Sequence, residues 1–271
     1  MELKFNDQRR DNLIEPAQRD EGFRLMEQFK AFVLLGLAAY FTYNIINGDL
    51  SNYINMRFAW LSYVAVVLFT MLGIATVFGV RRGDFNNRTS DHTIVTWPIL
   101  LIMAVPLVLG TLVPSRPLGA AAMSGGELRL TSYAVNVADA VNKDPLERDV
   151  LDWARAFAQR DVQPADFDGV EADVIGFVFY DPAFPEDHLL VARSIMSCCT
   201  ADTQPVVIPF YWPEAAEIIT AQQSVLADGQ DLWVRVRGIF EAGLFQDTKT
   251  PILQVTELEI VDEPRVPYLY P

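Results

Sequence analysis

The sequence has 271 residues, of which 51% are hydrophobic and 21% carry a charge, and its net charge is −14. This length allows one large domain or two small ones, and the mixture of apolar and charged residues predicts two segments that lie in different solvents. The acidic balance disfavours binding to nucleic acid, which needs clustered Lys and Arg side chains.

Apolar residues are concentrated in the N-terminal part of the chain. Residues 1–28 are polar and predict a cytoplasmic tail. Three apolar runs follow, and we expect each to be a transmembrane helix; they cover residues 29–47, 58–80 and 93–114. Runs of about 20 apolar residues match the thickness of the hydrocarbon core of a bilayer. The alternative for each run is a helix buried in a protein core.

Basic residues predict the orientation of these spans. They cluster before the first span and between the second and third spans, namely Arg19, Arg24, Lys30, Arg81, Arg82 and Arg88. The loop between the first two spans has only Arg57. By the positive-inside rule, the N-terminus is expected in the cytoplasm, with the chain after the third span on the other side of the membrane. Membrane lipid is therefore an expected partner.

After the third span the composition changes. Residues 115–126 are mostly small and predict a flexible linker. From residue 118 onward there are about 10 basic and 25 acidic side chains, so this part carries nearly all of the net charge. Residues 144–159 predict a helix that begins at Asp144. Its apolar face would consist of Leu146, Val150, Trp153 and Phe157.

Five later segments are rich in the β-branched and aromatic residues that are typical of strands. They are residues 170–180, 189–195, 206–211, 232–240 and 252–261, with a short helix expected over 214–226. Five such strands favour an extracytoplasmic OB-like β-barrel over residues 127–271, with one or two helices. Gly176 and Gly238 lie inside strands, where glycine often marks a bend that closes a barrel. The predicted fold is thus a membrane α-helical anchor followed by a soluble β domain.

The candidate site is the run from Arg193 to Asp202. The adjacent thiols of Cys198 and Cys199, with the carboxylate of Asp202, are ligand types that suit Zn²⁺. Neighbouring residues of a strand point to opposite faces, so both thiols reach one ion only if the chain turns there. The alternatives are a redox-active dithiol, a vicinal disulfide, or small residues that pack for structural reasons.

Other polar residues give weaker signals. Arg193 and Asp202 are placed to form an ion pair across the predicted turn. Asp181 and His188 lie upstream at no recognised ligand spacing, and His92 is typical of a polar residue at a membrane interface. The sequence has none of the catalytic motifs of metalloproteases, serine hydrolases or phosphate-binding enzymes. We therefore predict a protein that is not an enzyme, with zinc as the one candidate cofactor.

Several runs resemble those of the bacterial DUF1980 proteins. In the C-terminal part these are residues 176–181, 190–193, 198–202, 233–238 and 266–270; in the membrane part they are residues 48–57 and the Leu-Val-Pro sequence that ends at Pro114. The Cys-Cys-x-Ala-Asp element is the most specific of them. The resemblance implies an accessory subunit that works with a multi-spanning permease of the DUF318 type. It also implies metal cations as a substrate class, because some members are associated with zinc-responsive regulation.

The leading hypothesis is an accessory permease subunit whose outer barrel binds a cation such as zinc or docks the partner. Cys198, Cys199 and Asp202 would be the metal or contact residues, and Arg193 and Asp181 would have partner-binding or structural roles. The alternative is a docking subunit of a larger membrane assembly with no ligand of its own, in which the cysteines only pack. A third hypothesis is an extracytoplasmic thiol–redox protein.

Overall fold

A computed structural model of the chain describes residues 3–82, 97–123 and 142–271. The chain divides into two compact units. The first contains the chain up to Leu50 together with Met56–Ser115, and the second contains Ser51–Asn55 together with Arg116–Pro271. The five residues that connect the first two apolar helices therefore belong to the C-terminal unit.

The first unit contains three apolar helices, which are α1 (Leu3–Asn47), α2 (Ala59–Arg82) and α3 (Trp97–Leu112). Among the described residues, two stretches are long and apolar enough to cross a membrane, Arg24–Asn47 and Met56–Gly79, and they match the first two predicted spans. Helix α3 is described from Trp97, where the described part of the chain resumes. The third predicted span is not confirmed, and its residues 93–96 lie outside the described part of the chain.

The first helix begins much earlier than its apolar run. Residues 1–28 are predicted as a polar tail, but α1 begins at Leu3 and continues without a break to Asn47. The polar segment is rich in Leu, Arg, Gln and Glu, which are strong helix formers, so the helical backbone extends beyond its apolar part. The change in polarity locates the apolar part of α1 but not the start of the helix.

Helix α2 exposes most of its large apolar side chains. Those that are exposed include Trp60, Leu61, Tyr63, Val64, Val67, Leu68, Met71, Leu72, Ile74 and Phe78. The core helix of a soluble protein buries such residues, and an exposed apolar surface of this size indicates contact with a membrane or a protein. The exposure of α2 therefore contradicts the buried-core alternative for the second span and supports membrane association of the first unit.

The second unit is built on six strands, which are β1 (Glu171–Phe179), β2 (His188–Ile195), β3 (Gln204–Tyr211), β4 (Trp233–Phe245), β5 (Thr248–Ile260) and β6 (Tyr268–Leu269). They form one sheet in the order β1-β4-β5-β3-β2-β6, and β1 also pairs with β2. The five predicted strands are confirmed, and the short β6, which pairs in parallel with β2, is additional.

Strands β4 and β5 are longer than predicted because they continue into a hairpin. The predicted strands stop at residue 240 and start again at residue 252, so they leave out the last five residues of β4 and the first four of β5. In the structure these residues continue the antiparallel pairing, from Glu241 opposite Ile252 to Phe245 opposite Thr248. Gln246 and Asp247 connect them with positive φ angles, the geometry of a type I′ hairpin turn. Gly238 lies at the irregularity in the β4–β5 register, consistent with its predicted role at a bend.

Two longer helices, α4 (Val150–Phe157) and α5 (Ala215–Ala227), pack beside the sheet, as does the four-residue helix Ala120–Met123. Helix α5 was predicted, whereas the helix predicted over 144–159 is interrupted. Asp144 accepts a hydrogen bond from the Leu146 N–H at 3.0 Å and so caps only a 3-10 turn. Helix α4 then starts at its own cap, Asp149, which forms a capping box with Asp152.

The core of the second unit is formed by inward-facing residues of the strands and by α4. Trp153 of α4 is fully buried, and its ring packs edge-on against Phe240 of β4 with centroids 4.7 Å apart. Phe157 and Phe167 join the same aromatic cluster. The cluster therefore fixes α4 against β4.

An ion-pair network crosses three strands on the outer face of the sheet. Asp173 of β1 accepts two hydrogen bonds from Arg235, at 2.7 and 2.6 Å, and one from Arg237 at 2.9 Å. Arg237 also donates to Glu257 of β5 at 2.7 Å. These two guanidinium groups hold the pKa of Asp173 below its ordinary value. Both arginines are therefore engaged with carboxylates of the sheet.

Candidate functional site

The Cys-Cys-Thr-Ala-Asp run lies in the turn between β2 and β3. Thr200–Asp202 form a 3-10 turn, and the Asp202 carboxylate accepts hydrogen bonds from the backbone N–H groups of Ser197 at 3.1 Å and Cys198 at 2.7 Å. Asx carboxylates commonly stabilise turns in this way. The structure therefore places Asp202 in a local role, since it fixes the turn that presents the two thiols.

The two thiols lie next to each other at the surface. Their Sγ atoms are 3.6 Å apart, both are free, and Cys198 is exposed. The nearby Asp202 carboxylate and the Cys199 thiol raise the pKa of Cys198 to about 11. A thiol with such a pKa is protonated near neutral pH, and the thiolate is the form that binds metals and acts as a nucleophile.

The turn does not contain a complete zinc site. A structural zinc ion takes four ligands, and the described residues contain no group of three or more His, Cys, Asp or Glu side chains placed to hold one ion. The distance between the two Sγ atoms suits a pair of ligands, but Asp202 is bonded to backbone amides. Zinc binding at Cys198, Cys199 and Asp202 stays a prediction.

The upstream residues are not brought to the thiols. Asp181 caps a turn by accepting from the Ala183 N–H at 2.8 Å, and His188 begins β2 and lies 2.7 Å from the Glu186 carbonyl oxygen. The Cys-Cys turn follows the other end of β2, about 23 Å away for an eight-residue strand. In the described structure Asp181 and His188 are thus separated from Cys198 and Cys199.

Arg193 has a structural environment. Its side chain is buried, donates to the carbonyl oxygens of Val266 at 3.1 Å and Ile175 at 3.5 Å, and lies over the Trp233 ring, 5.2 Å from its centroid. The predicted ion pair with Asp202 is not formed, because that carboxylate accepts from backbone amides instead. Arg193 fastens the C-terminal segment to the sheet, which fits the structural option of the prediction.

Sequence reasoning missed the partner of the Cys-Cys turn, which is Ser51–Asn55. Ile54 forms an antiparallel bridge with Cys199, the Asn55 N–H donates to the Cys198 carbonyl at 3.0 Å, and the Thr200 N–H donates to the Tyr53 carbonyl at 3.0 Å. The one feature of the sequence that drew attention to this segment is the polar Gly48–Arg57 run, which is among the runs that resemble the DUF1980 proteins. Its pairing with a turn more than 140 residues away has no local signature.

The side chain of Asn55 strengthens this pairing. It is 2% exposed, and its Nδ2 donates to the carbonyl oxygens of Ser197 at 2.9 Å and Met196 at 3.3 Å. These carbonyls follow the end of β2, where the regular ladder stops. Since an unpaired buried carbonyl is costly, the Asn55 amide completes the hydrogen bonding of the chain that leads into the Cys-Cys turn.

The segment that follows the third helix is also bonded to the C-terminal unit. The Leu118 N–H donates to the Tyr268 hydroxyl at 2.7 Å, and the Ala120 N–H donates to the Asp231 carboxylate at 2.9 Å. Burial raises the pKa of Asp231. Residues 116–120, predicted as part of a flexible linker, are thus hydrogen-bonded to the domain, whereas residues 124–126 lie outside the described structure.

Comparison with known proteins gives matches along nearly the whole chain. It is 21% identical over 291 residues to the UPF0703 protein YcgQ of Bacillus subtilis, covering 89% of this chain and 99% of that protein. It is also 21% identical over 276 residues to a Streptococcus mutans protein described as a candidate subunit of a two-component membrane permease complex, covering 86% of this chain and 97% of that protein. No solved structure matches the chain.

Two family models match adjacent parts of the sequence. The model of the DUF1980 N-terminal domain matches residues 29–126, and the model of the DUF1980 C-terminal domain matches residues 131–271. The first match contains the apolar helices together with Ser51–Asn55, and the second contains the whole sheet with its Cys-Cys turn. The resemblance of the sequence runs is therefore confirmed, and this chain belongs to the DUF1980 family.

Proposed function

We propose that this chain is a non-enzymatic accessory subunit of a membrane permease, whose C-terminal domain lies outside the cytoplasm and docks a multi-spanning partner. The observation that carries the proposal is the match, over nearly the full length of both chains, to a relative described as a candidate subunit of a two-component membrane permease complex. The match includes both the apolar helices and the sheet domain, so the shared feature is the combination of an anchor with a folded domain.

The pairing of Ser51–Asn55 with the Cys-Cys turn supports a third crossing of the membrane. This segment connects α1 to α2, and its hydrogen bonds to the domain require both to lie on the same side of the bilayer. Helix α2 then carries the chain to the opposite side. The chain must return before the domain resumes at Arg116, and α3 is the apolar helix described between these points.

The direction of the topology rests on the basic residues before the first helix and between the second and third, which favour a cytoplasmic N-terminus. The domain would then be extracytoplasmic. The cyclic order of its strand pairs, in which β1 contacts both β4 and β2, supports the interpretation of the sheet as an OB-like barrel. Such a barrel offers loops as docking surfaces, but the fold alone does not define a ligand.

Membrane-impermeant maleimide labelling tests the topology. The chain has two cysteines, which are adjacent, and Cys198 is exposed, so the wild-type protein can be labelled at this turn without an introduced cysteine. We expect labelling of intact cells or spheroplasts at a pH high enough to ionise some of the thiol, and no labelling of the Cys198→Ser/Cys199→Ser variant. Labelling only after the cells are broken would place the domain in the cytoplasm and refute the proposed orientation.

The same reaction tests the zinc prediction. If both thiols bind Zn²⁺, the ion should protect purified full-length protein in detergent from maleimide, and a chelator should reverse this protection. Among the described residues no group of three or more candidate ligands is placed to hold one ion, so the test asks whether the two thiols bind zinc with ligands from elsewhere. Undiminished labelling in the presence of zinc would remove the metal site and leave the docking role in place.

Co-purification tests the central proposal. The full-length chain, tagged at its N-terminus and expressed at its native level, is solubilised in mild detergent and its partners are identified by mass spectrometry. We expect one multi-spanning protein in near-stoichiometric amount, absent from a matched preparation of an unrelated three-span protein. Recovery of the chain alone, or with a set of proteins that contains no multi-spanning member, would contradict the permease role.

A further inference from the structure

Both cysteines of the Cys-Cys turn contribute their backbone to one non-local contact. The carbonyl oxygen of Cys198 accepts from the Asn55 N–H at 3.0 Å, and Cys199 is the bridge partner of Ile54. The peptide group between the two cysteines therefore forms part of the edge to which Ser51–Asn55 is bonded. Displacement of that peptide group therefore weakens the hydrogen bond from Asn55.

The side chains of the same residues are suited to react with each other. Their Sγ atoms are already 3.6 Å apart, both thiols are free, and Cys198 is open to solvent. A disulfide reagent can therefore reach the pair without displacing other side chains.

A bond between the two sulfur atoms is nevertheless incompatible with the present backbone. The Sγ atoms must approach from 3.6 Å to bonding distance, while the adjacent Cα atoms stay about 3.8 Å apart, closer than the roughly 4.4–6.8 Å that disulfides prefer. Closing the ring therefore strains the peptide group between the cysteines and displaces it from its present position. This is the peptide group whose carbonyl oxygen accepts from the Asn55 N–H.

We propose that Cys198 and Cys199 form a thiol switch, in which oxidation to a vicinal disulfide by a small-molecule or protein disulfide releases Ser51–Asn55 from the domain. One cysteine thiolate attacks the oxidant disulfide, forms a mixed disulfide and expels the first thiolate. The second cysteine then attacks the mixed disulfide, forms the Cys198–Cys199 bond and expels the second thiolate. The two expelled thiolates take up the two protons that the cysteines lose, so the oxidant is reduced to two thiols.

Oxidation of the two cysteines and pairing of Ser51–Asn55 are linked equilibria, so oxidation weakens the pairing by the same factor as the pairing disfavours oxidation. Any change that weakens the pairing should therefore favour the disulfide by the same factor. The Asn55 amide is the suitable place for such a change, since it is buried and donates to both Met196 and Ser197. Its replacement by leucine removes both donors at similar side-chain volume.

The main test uses purified full-length protein in detergent, treated with oxidised glutathione at pH 8.5. We expect an intact mass that is lower by two hydrogen atoms, and amide hydrogen exchange in peptides covering residues 51–55 that is about tenfold faster or more, as for loss of one or two buried hydrogen bonds. The Cys198→Ser/Cys199→Ser variant is the matched control, and the same treatment should leave both its mass and its exchange unchanged.

The second arm measures the oxidation equilibrium of the Asn55→Leu variant in glutathione buffers. We expect its ratio of disulfide to dithiol to exceed that of wild type by about tenfold. Three outcomes would overturn the switch: disulfide-linked dimers in place of the internal bond, a stable glutathione adduct, or an internal disulfide with unchanged exchange at residues 51–55. None of these measurements depends on a permease partner, so failure of the switch and failure of the proposed function are distinguishable.

Discussion

Replacement of Trp153 by alanine should lower the free energy of unfolding of the C-terminal unit by about 3–5 kcal/mol, the usual cost of truncating a buried tryptophan to alanine. The side chain is fully buried and contacts Phe157, Phe167 and Phe240 within one aromatic cluster. Its removal leaves a cavity that these rings fill only in part. Denaturant unfolding of the full-length protein in detergent, followed by circular dichroism, measures the loss.

Two variants control this experiment. The indole Nε1 of Trp153 is buried with no hydrogen-bond partner among the described residues, so Trp153→Phe keeps an aromatic ring and loses no hydrogen bond. It should cost clearly less than alanine. Leu146 is 51% exposed, and Leu146→Ala should change stability by no more than about 0.5 kcal/mol. Equal losses for Trp153→Ala and Leu146→Ala would show that the cluster is not the core of the unit.

Replacement of Gly238 by alanine should destabilise the same unit by about 1–3 kcal/mol or more, as overpacking does elsewhere. A Cβ atom at this position would overlap the backbone carbonyl oxygen of Gln254 and lie 2.9 Å from the Cα of Val255. Backbone atoms of a paired strand cannot move aside without breaking the register between β4 and β5. The midpoint of thermal unfolding of the full-length protein should therefore fall.

Gly243 provides the matched control on the same strand. A Cβ atom there would meet the Cδ1 methyl of Ile252 at 2.5 Å, which is the end of a flexible side chain that can change rotamer. Gly243→Ala should therefore have a much smaller effect than Gly238→Ala. If the two variants lose the same stability, the cause is the loss of glycine in a strand in general and not the close approach of the two backbones.

The Cys-Cys turn shows which part of a candidate metal site residue type and spacing can predict. Cys198, Cys199 and Asp202 have the chemistry of metal ligands, and the turn that would bring them together is present. In the described structure, however, the carboxylate is bonded to backbone amides. Residue type and spacing cannot distinguish a carboxylate that is free to bind an ion from one that stabilises its own turn.

Elements whose signal is local could be predicted from the order of the residues. The first two apolar runs, the five strands and the helix α5 were predicted from apolar length and from alternation of side chains, because these patterns reflect which residues face lipid, water or core. The hairpin extension of β4 and β5 was missed, since Glu241, Ala242 and Gly243 are poor strand formers that the opposing strand holds in place.

Contacts between distant residues became visible in the folded chain alone. The pairing of Ser51–Asn55 with the Cys-Cys turn, the burial of Arg193 against the C-terminal segment, and the bonding of residues 116–120 to the domain connect positions some 70 to 150 residues apart. Such hydrogen bonds depend on how folded elements approach each other, and they leave no periodic pattern along the chain. The elements were therefore readable from residue order, whereas the contacts of the candidate site required the folded chain.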